Sequence, residues 1–176
     1  DIAVFSSFDD LDKMLDNYSM IFTPHQTVCE TRDDFIKSNE ILFLKRGTMN
    51  LGFFAIKGDE EGLKFLNWWS ERLLNYCYDD NYETLKDLSR DRLLGLFTDQ
   101  KWIDLVPSYF DNYLILKNPG YNVCTWNLTN RKVKKKSNAK FTVDGQELVF
   151  FHFSGFDSGG HLNELQRVCE YNPNNK

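Results

Sequence analysis

Apolar and polar positions alternate between two rhythms along this chain. Ile2 to Phe5 form an apolar run that reads as a buried strand beginning at the first residue. In "FDDLDKMLDNY" the rhythm becomes helical. Phe8, Leu11 and Leu15 make one stripe, Ser6 or Ser7 is placed to cap it, and acids crowd the first turn, where the helix dipole favours them. "SMIFTPH" reads as a second short strand ended by Pro24, and "TRDDFIKSNEILFLKRG" as helical in its first part and closed by Gly47. "MNLGFFAIKG" reads as a strand with Gly52 inside it, where a glycine signals close approach by a ligand or another element.

The clearest helix covers "DEEGLKFLNWWSERLLNYCYDD". Its first turn is acidic, and Leu63, Leu66, Trp69, Leu73, Tyr76 and Cys77 recur at helical spacing as the expected core stripe. "SRDRLLGLFTDQKWIDLVPSYF" reads as a helix, a break, and a second helix ended near Pro107. "YLILKNPGYNVCTWNL" gives strand, turn at Asn118-Pro119-Gly120, and strand again. "RKVKKKSNAK" is a basic, exposed loop, and "FTVDGQELVFFHFSGF" is a hairpin turning at Asp144-Gly145. Helices and strands mix without repeats, so the fold class is α/β or α+β, a mixed sheet flanked by helices. One domain is expected over residues 1–170, with a frayed tail at 171–176.

Composition narrows the function classes. A chain of 176 residues with 41% hydrophobic and 15% aromatic residues can bury a substantial core. A net charge of −5 argues against a nucleic-acid partner. No apolar run approaches the roughly 20 residues of a membrane span, and the N-terminus is no signal peptide. Cysteines at 29, 77, 124 and 169 lack the paired spacing of a zinc site and suit a reducing, cytoplasmic setting with ordinary buried packing. The chain begins in mid-strand without an initiator Met, and we read it as a piece of a longer protein.

Polar islands in apolar surroundings mark the candidate chemistry: Asn50 with Gly52, Asp99 with Gln100, and His152 with Ser154 and Gly155. Asp1 joins them because it immediately precedes a strand. His152 admits two readings, a metal ligand projecting from a strand end or a core histidine. Asp99 can act as a general base, cap the helix over "QKWIDLV", or both. Asn50 can line a pocket or satisfy a strand edge, and Gly52 can relieve a steric contact. Trp126 is either core or a platform for a sugar ring. Lys132 to Lys136 read first as a solvated loop.

"MNLGFFAI", "TDQKWIDLVP" and "FFHFSGF", in that order, resemble the latter part of nucleotide-sugar glycosyltransferases of the GT-A fold. The match is to bacterial putative glycosyltransferases and, more distantly, the galactosyltransferase and glycogenin-like group. It runs from Asp1 to about Asp157. The resemblance implies that Asp1 is the second acid of an Asp-x-Asp motif whose first acid lies upstream. It implies that His152 completes the protein's ligands to Mn²⁺ or Mg²⁺, and that Asn50 and Gly52 line the donor-sugar pocket. It places Asp99 and Gln100 near the transferred sugar and acceptor. Ser154 and Gly155 would offer a hydroxyl and an N–H to donor phosphate. The implied partners are a nucleotide-sugar donor and a glycan or other hydroxyl acceptor. The pattern departs from the galactosyltransferase-like group in having no lysine after the histidine motif, a place Arg46 or Lys101 could fill. The nucleotide-binding half of the fold would precede Asp1, so the chain alone is expected to be a poor or inactive enzyme. Two rivals stand beside this reading: a non-catalytic glycan-binding module of the same fold, and a metal-dependent nucleotide-sugar hydrolase.

Overall fold

The computed structural model describes residues 1–79, 95–136 and 140–171. Its centre is strand β2 (Met20–Pro24), buried along its whole length. On one side β2 pairs antiparallel with β3 (Met49–Ile56), with a register shift between Phe22 and Thr23; on the other it pairs parallel with β4 (Tyr113–Ile115). A separate antiparallel ribbon joins β1 (Ile2–Val4) to β8 (Phe150–His152). A third small sheet is formed by β5 (Val133–Lys135), β6 (Phe141–Val143) and β7 (Gln146–Glu147). The β6–β7 turn is Asp144-Gly145, both with positive φ, as the Asp-Gly dipeptide predicts. The chain is thus mixed α/β with several small sheets.

Helices cover these sheets for reasons visible in their sequences. In α1 (Asp9–Asn17), Leu11, Met14 and Leu15 pack with Phe8 against Ile21, Tyr121 and Phe150. Ser7 Oγ accepts the Asp9 N–H, so the serine does serve the helix start. Helix α4 (Glu60–Tyr76) is capped by Asp59, whose carboxylate accepts the Gly62 N–H at 2.9 Å. Phe65 and Trp69 point into the core beside Met20, Phe22, Ile103 and Phe110.

The structure corrects several expectations. On α4 the buried stripe is Gly62, Phe65 and Trp69, whereas Leu63, Leu66, Tyr76 and Cys77 are exposed. The aromatic rings of Phe65, Trp68 and Trp69 pack among Phe54, Phe110 and Trp102, and this larger apolar area sets the helix's rotation. Strand β1 is present, but Ile2, Val4 and Phe5 are largely exposed, because it lies in a two-stranded ribbon. The segment before Gly47 is helical throughout: α2 (Asp33–Phe35) runs through a π-helical stretch, Ile36–Glu40, into α3 (Ile41–Arg46). Pro107 lies in the first turn of α5 (Val106–Tyr109), where its lacking N–H costs nothing, and does not end a helix. Between β4 and β5 the chain makes no further strand; Val123 forms one bridge to Phe151, and Thr125–Asn127 is a 3₁₀ turn. The basic segment contributes β5, so it is not wholly loop. Helix α6 (Gly160–Tyr171) has no counterpart in the sequence reading. Cys29 and Cys77 are exposed and only Cys124 is buried. The helix expected at the start of "SRDRLLGLFTDQ" and most of the 171–176 tail fall outside the described residues. Among the described residues no helix is long and apolar enough to cross a membrane.

Candidate functional site

"FFHFSGF" and "MNLGF" meet at the heart of the site. Along β8 the side chains alternate: Phe150 packs with Phe8, Phe53 and Tyr121, and His152, two residues on, follows the same face. Its backbone is held by Val123 and paired with Ile2. The imidazole, only 8% exposed, lies directly on Gly52 of β3. A Cβ at residue 52 would fall 2.4 Å from His152 Nδ1, so glycine is the side chain this contact allows. The glycine inside an apolar strand therefore does mark a close approach, made by His152.

A network of amides fixes the ring's tautomer. The Gly52 N–H donates to Asn50 Oδ1 at 3.0 Å, so that atom is an acceptor. Asn122 must then turn its amide nitrogen to it, at 2.9 Å, and its Oδ1 to His152 Nδ1, at 3.3 Å. His152 therefore carries its proton on Nδ1, and the lone pair of Nε2 is turned towards Asp1, 3.4 Å from a carboxylate oxygen. Burial lowers the His152 pKa and favours the neutral ring.

The far side of the network is anchored in the same way. Asn50 Nδ2 lies 3.3 Å from His25 Nε2 and 3.5 Å from Gln100 Oε1. His25 Nδ1 faces the Thr48 carbonyl at 3.2 Å and so bears the proton. Gln100 accepts the Leu51 N–H at 3.1 Å and donates to the Arg46 carbonyl at 3.1 Å. Burial pushes the His25 pKa down to about 4. Thr23 joins through Asn122 and donates to the backbone of β3. Four backbone groups, of residues 46, 48, 51 and 52, thus orient three buried side chains, His25, Asn50 and Gln100.

Beside this network lies a cavity of about 600 Å³, within the range of small-molecule sites. Asn50, Gln100, Trp126 and Ser154 line it, together with Arg46 and His161. The Trp126 ring stands edge-on to His152, with centroids 5.7 Å apart. Asp1 borders a different depression, with Phe153, Phe156 and Asp157.

The structure therefore brings Asp1, His152, Gly52, Asn50 and Gln100 into one connected cluster, with Ser154 on the cavity wall. Gly155 sits in a turn at φ +74°, where its carbonyl accepts the His161 N–H and the Ser158 hydroxyl. Asp99 stands apart. It does not line the cavity, its carboxylate accepts the Thr98 hydroxyl, and it makes no side-chain cap to the turn it precedes. The Gln100 amide is spent on Leu51 and Arg46, which makes it a holder of β3. Of the basic substitutes, Arg46 lines the cavity, whereas Lys101 is tied to Asp104 and the Leu44 carbonyl. The sequence reading missed His25, Asn122, His161 and Arg167. A faint signal for Asn122 exists in "NPGYNV", since its positive φ of 50° suits asparagine. Among the described residues no three His, Cys, Asp or Glu side chains gather as a metal group.

Fold and site together define a mixed α/β chain with a buried imidazole–amide network beside a cavity. Two proteins of Bacillus subtilis (strain 168) are similar to it, both named as uncharacterized. YfnF is 30% identical over 153 residues, which is 84% of this chain and 46% of the relative. YfnD is 26% identical over 112 residues, 64% of this chain and 33% of the relative. The chain spans less than half the length of these curated relatives. No family model and no solved structure matches it.

Proposed function

We propose that this chain forms part of a GT-A glycosyltransferase that transfers a hexose from a nucleotide-diphosphate sugar to a hydroxyl acceptor with a divalent ion. The observation that carries the reading is His152. Its Nδ1–H is committed to Asn122 and its Nε2 lone pair is turned to the Asp1 carboxylate. A neutral imidazole and a carboxylate are the donors a Mn²⁺ or Mg²⁺ site takes, and the bare backbone of Gly52 makes room for the ring in this position. Asp1 and His152 would hold the ion, the further ligands coming from an upstream acid and donor phosphate. When bound, such an ion neutralises charge developing on the departing diphosphate.

The chain's own residues do the positioning. Asn122 and Gly52 hold His152 in one tautomer and one orientation. Asn50, with Gln100 behind it, supplies a polar floor to the cavity, and Trp126 supplies a flat wall on which a sugar ring can stack. Ser154 lines the cavity, and Gly155 follows it in the adjoining turn. The acceptor's base is not assigned to Asp99, which lies outside the cavity lining.

The test is release of sugar from a panel of nucleotide sugars by the full-length gene product, with Mn²⁺ or EDTA. We expect turnover of one donor that requires metal and falls by about 10²–10³ in His152→Ala, comparable to the loss of one electrostatic contact to a transition state. Adding acceptors separates transfer from hydrolysis. No turnover of any donor, with His152→Ala folded and indistinguishable from wild type, overturns the proposal in favour of a glycan-binding module.

A further inference from the structure

Four buried side-chain nitrogens lack a hydrogen-bond partner among the described residues: Arg46 Nε, Trp126 Nε1, His161 Nδ1 and Arg167 Nε. All four residues line the one 600 Å³ cavity. Buried polar atoms without partners are costly, and native structures satisfy them with ordered water, an ion or a ligand. Arg46 is the sharpest case. Half-buried, its guanidinium makes no hydrogen bond or ion pair among the described residues and meets only the Phe97 ring, at 5.1 Å. His161 is only 5% exposed.

Charge and helix geometry agree with that placement. Two guanidinium groups and one carboxylate, Glu164, border the cavity, and Glu164 already pairs with Arg167 at 2.6 Å. The positive charge of Arg46 is left uncompensated. The twelve-residue helix α6 begins in the cavity wall with Gly160 and His161, so the positive end of its dipole lies there too. A neutral hexose brings hydroxyls that both donate and accept; a set of N–H donors beside an unpaired cation calls for oxygens that only accept.

We propose that the cavity binds the oxyanion of a small molecule, a carboxylate or a phosphate ester, through Arg46, Trp126, His161 and Arg167, without need of a metal ion. The orphan atoms are screened from solvent in this conformation, and a small side-chain rotation presents them to the occupant. This goes beyond the transferase reading and stands without it. Within that reading, it makes one of the two substrates acidic at a point away from the diphosphate.

The indole N–H of Trp126 is the direct reporter. Trp69 and Trp102 already donate theirs to the carbonyls of Asp99 and Tyr76, so they serve as internal references. The ¹⁵N-labelled full-length protein is titrated in EDTA, at fixed ionic strength, with inorganic phosphate, with glucuronate and with glucose. The Trp126 resonance, assigned through Trp126→Phe, is expected to move and saturate with phosphate or glucuronate and not with glucose or chloride. Whichever anion does so names the source. Arg46→Gln should weaken that binding at least about tenfold, the loss expected for a charged hydrogen bond. If Arg46→Gln does not fold, calorimetry on Trp126→Phe, which keeps a ring and deletes one donor, makes the comparison. A Trp126 resonance indifferent to both anions, an equal response to glucose, or affinity unchanged in the folded variant overturns the proposal. EDTA keeps metal-dependent donor binding silent, so failure here is separate from failure of the transferase assay.

Discussion

Gly52 and His152 are 100 positions apart in the chain, yet the imidazole occupies the volume a side chain at 52 would need. The contact makes a quantitative prediction for the residue pair. Gly52→Ala places a methyl group where Nδ1 and Cε1 now lie, so either the ring leaves its pocket or β3 shifts. Overpacking of this kind costs about 1–3 kcal/mol. In a His152→Ala background the two ring contacts are gone and Asn50 Oδ1, 2.7 Å from the same Cβ position, is the close neighbour that remains, so the same substitution should cost less. A double-mutant cycle by urea unfolding measures the difference. Equal cost in both backgrounds would show that the glycine answers to Asn50 and the backbone rather than to the ring, and the Asp1–His152 arrangement would lose its main steric support.

At the scale of elements, α4 decides between two sequence patterns. Its leucines and its aromatics both recur at helical spacing, and a hydrophobic count alone cannot rank them. Packing can: Phe65 is fully buried in a cage of Phe22, Trp69 and Phe110, whereas Leu63 is 52% exposed. Phe65→Ala should therefore destabilise by about 3–5 kcal/mol, and Leu63→Ala by no more than about 0.5 kcal/mol. Thermal or urea unfolding of the two variants checks this, and comparable losses would restore the leucine stripe as the core face. Elements with one strong local signal were legible. Strands β2 and β3 follow from apolar runs, the β6–β7 turn from Asp-Gly, and the start of α4 from Asp59 with its acidic first turn. The π-helical stretch at Ile36–Glu40 and helix α6 depend on tertiary partners, such as the Arg32 and Tyr171 contact, that no window of sequence contains.

For the whole molecule, the polar network is the bond between parts that share no sheet. It runs from the β1–β8 ribbon through the 121–127 segment to β2, β3 and the turn at Gln100–Leu105. The sequence showed Asn50, Gln100 and His152 as polar islands. It could not show that Asn122 joins them, because Asn50 and Asn122 are 72 residues apart and their pairing exists only after folding. His25 closes the network in its neutral form, accepting from Asn50, stacked on Phe43 and beside Trp126. The consequence is a pH dependence of global stability. Burial holds the folded-state pKa near 4, below the unfolded value of 6.5. The unfolded chain therefore binds a proton more readily, and the stability from neutral His25 is fully present above pH 6.5. It is lost progressively as pH falls from 6.5 towards 4, amounting to about 2 kcal/mol by pH 5. His152, shifted in the same direction by burial, adds to the loss. Urea unfolding at pH 7 and pH 5 should show wild type losing more stability than His25→Gln, whose amide can still engage Thr48 and Asn50 and does not titrate. Equal losses in the two proteins would mean that His25 is reached by solvent and carries no part of the coupling between the sheets.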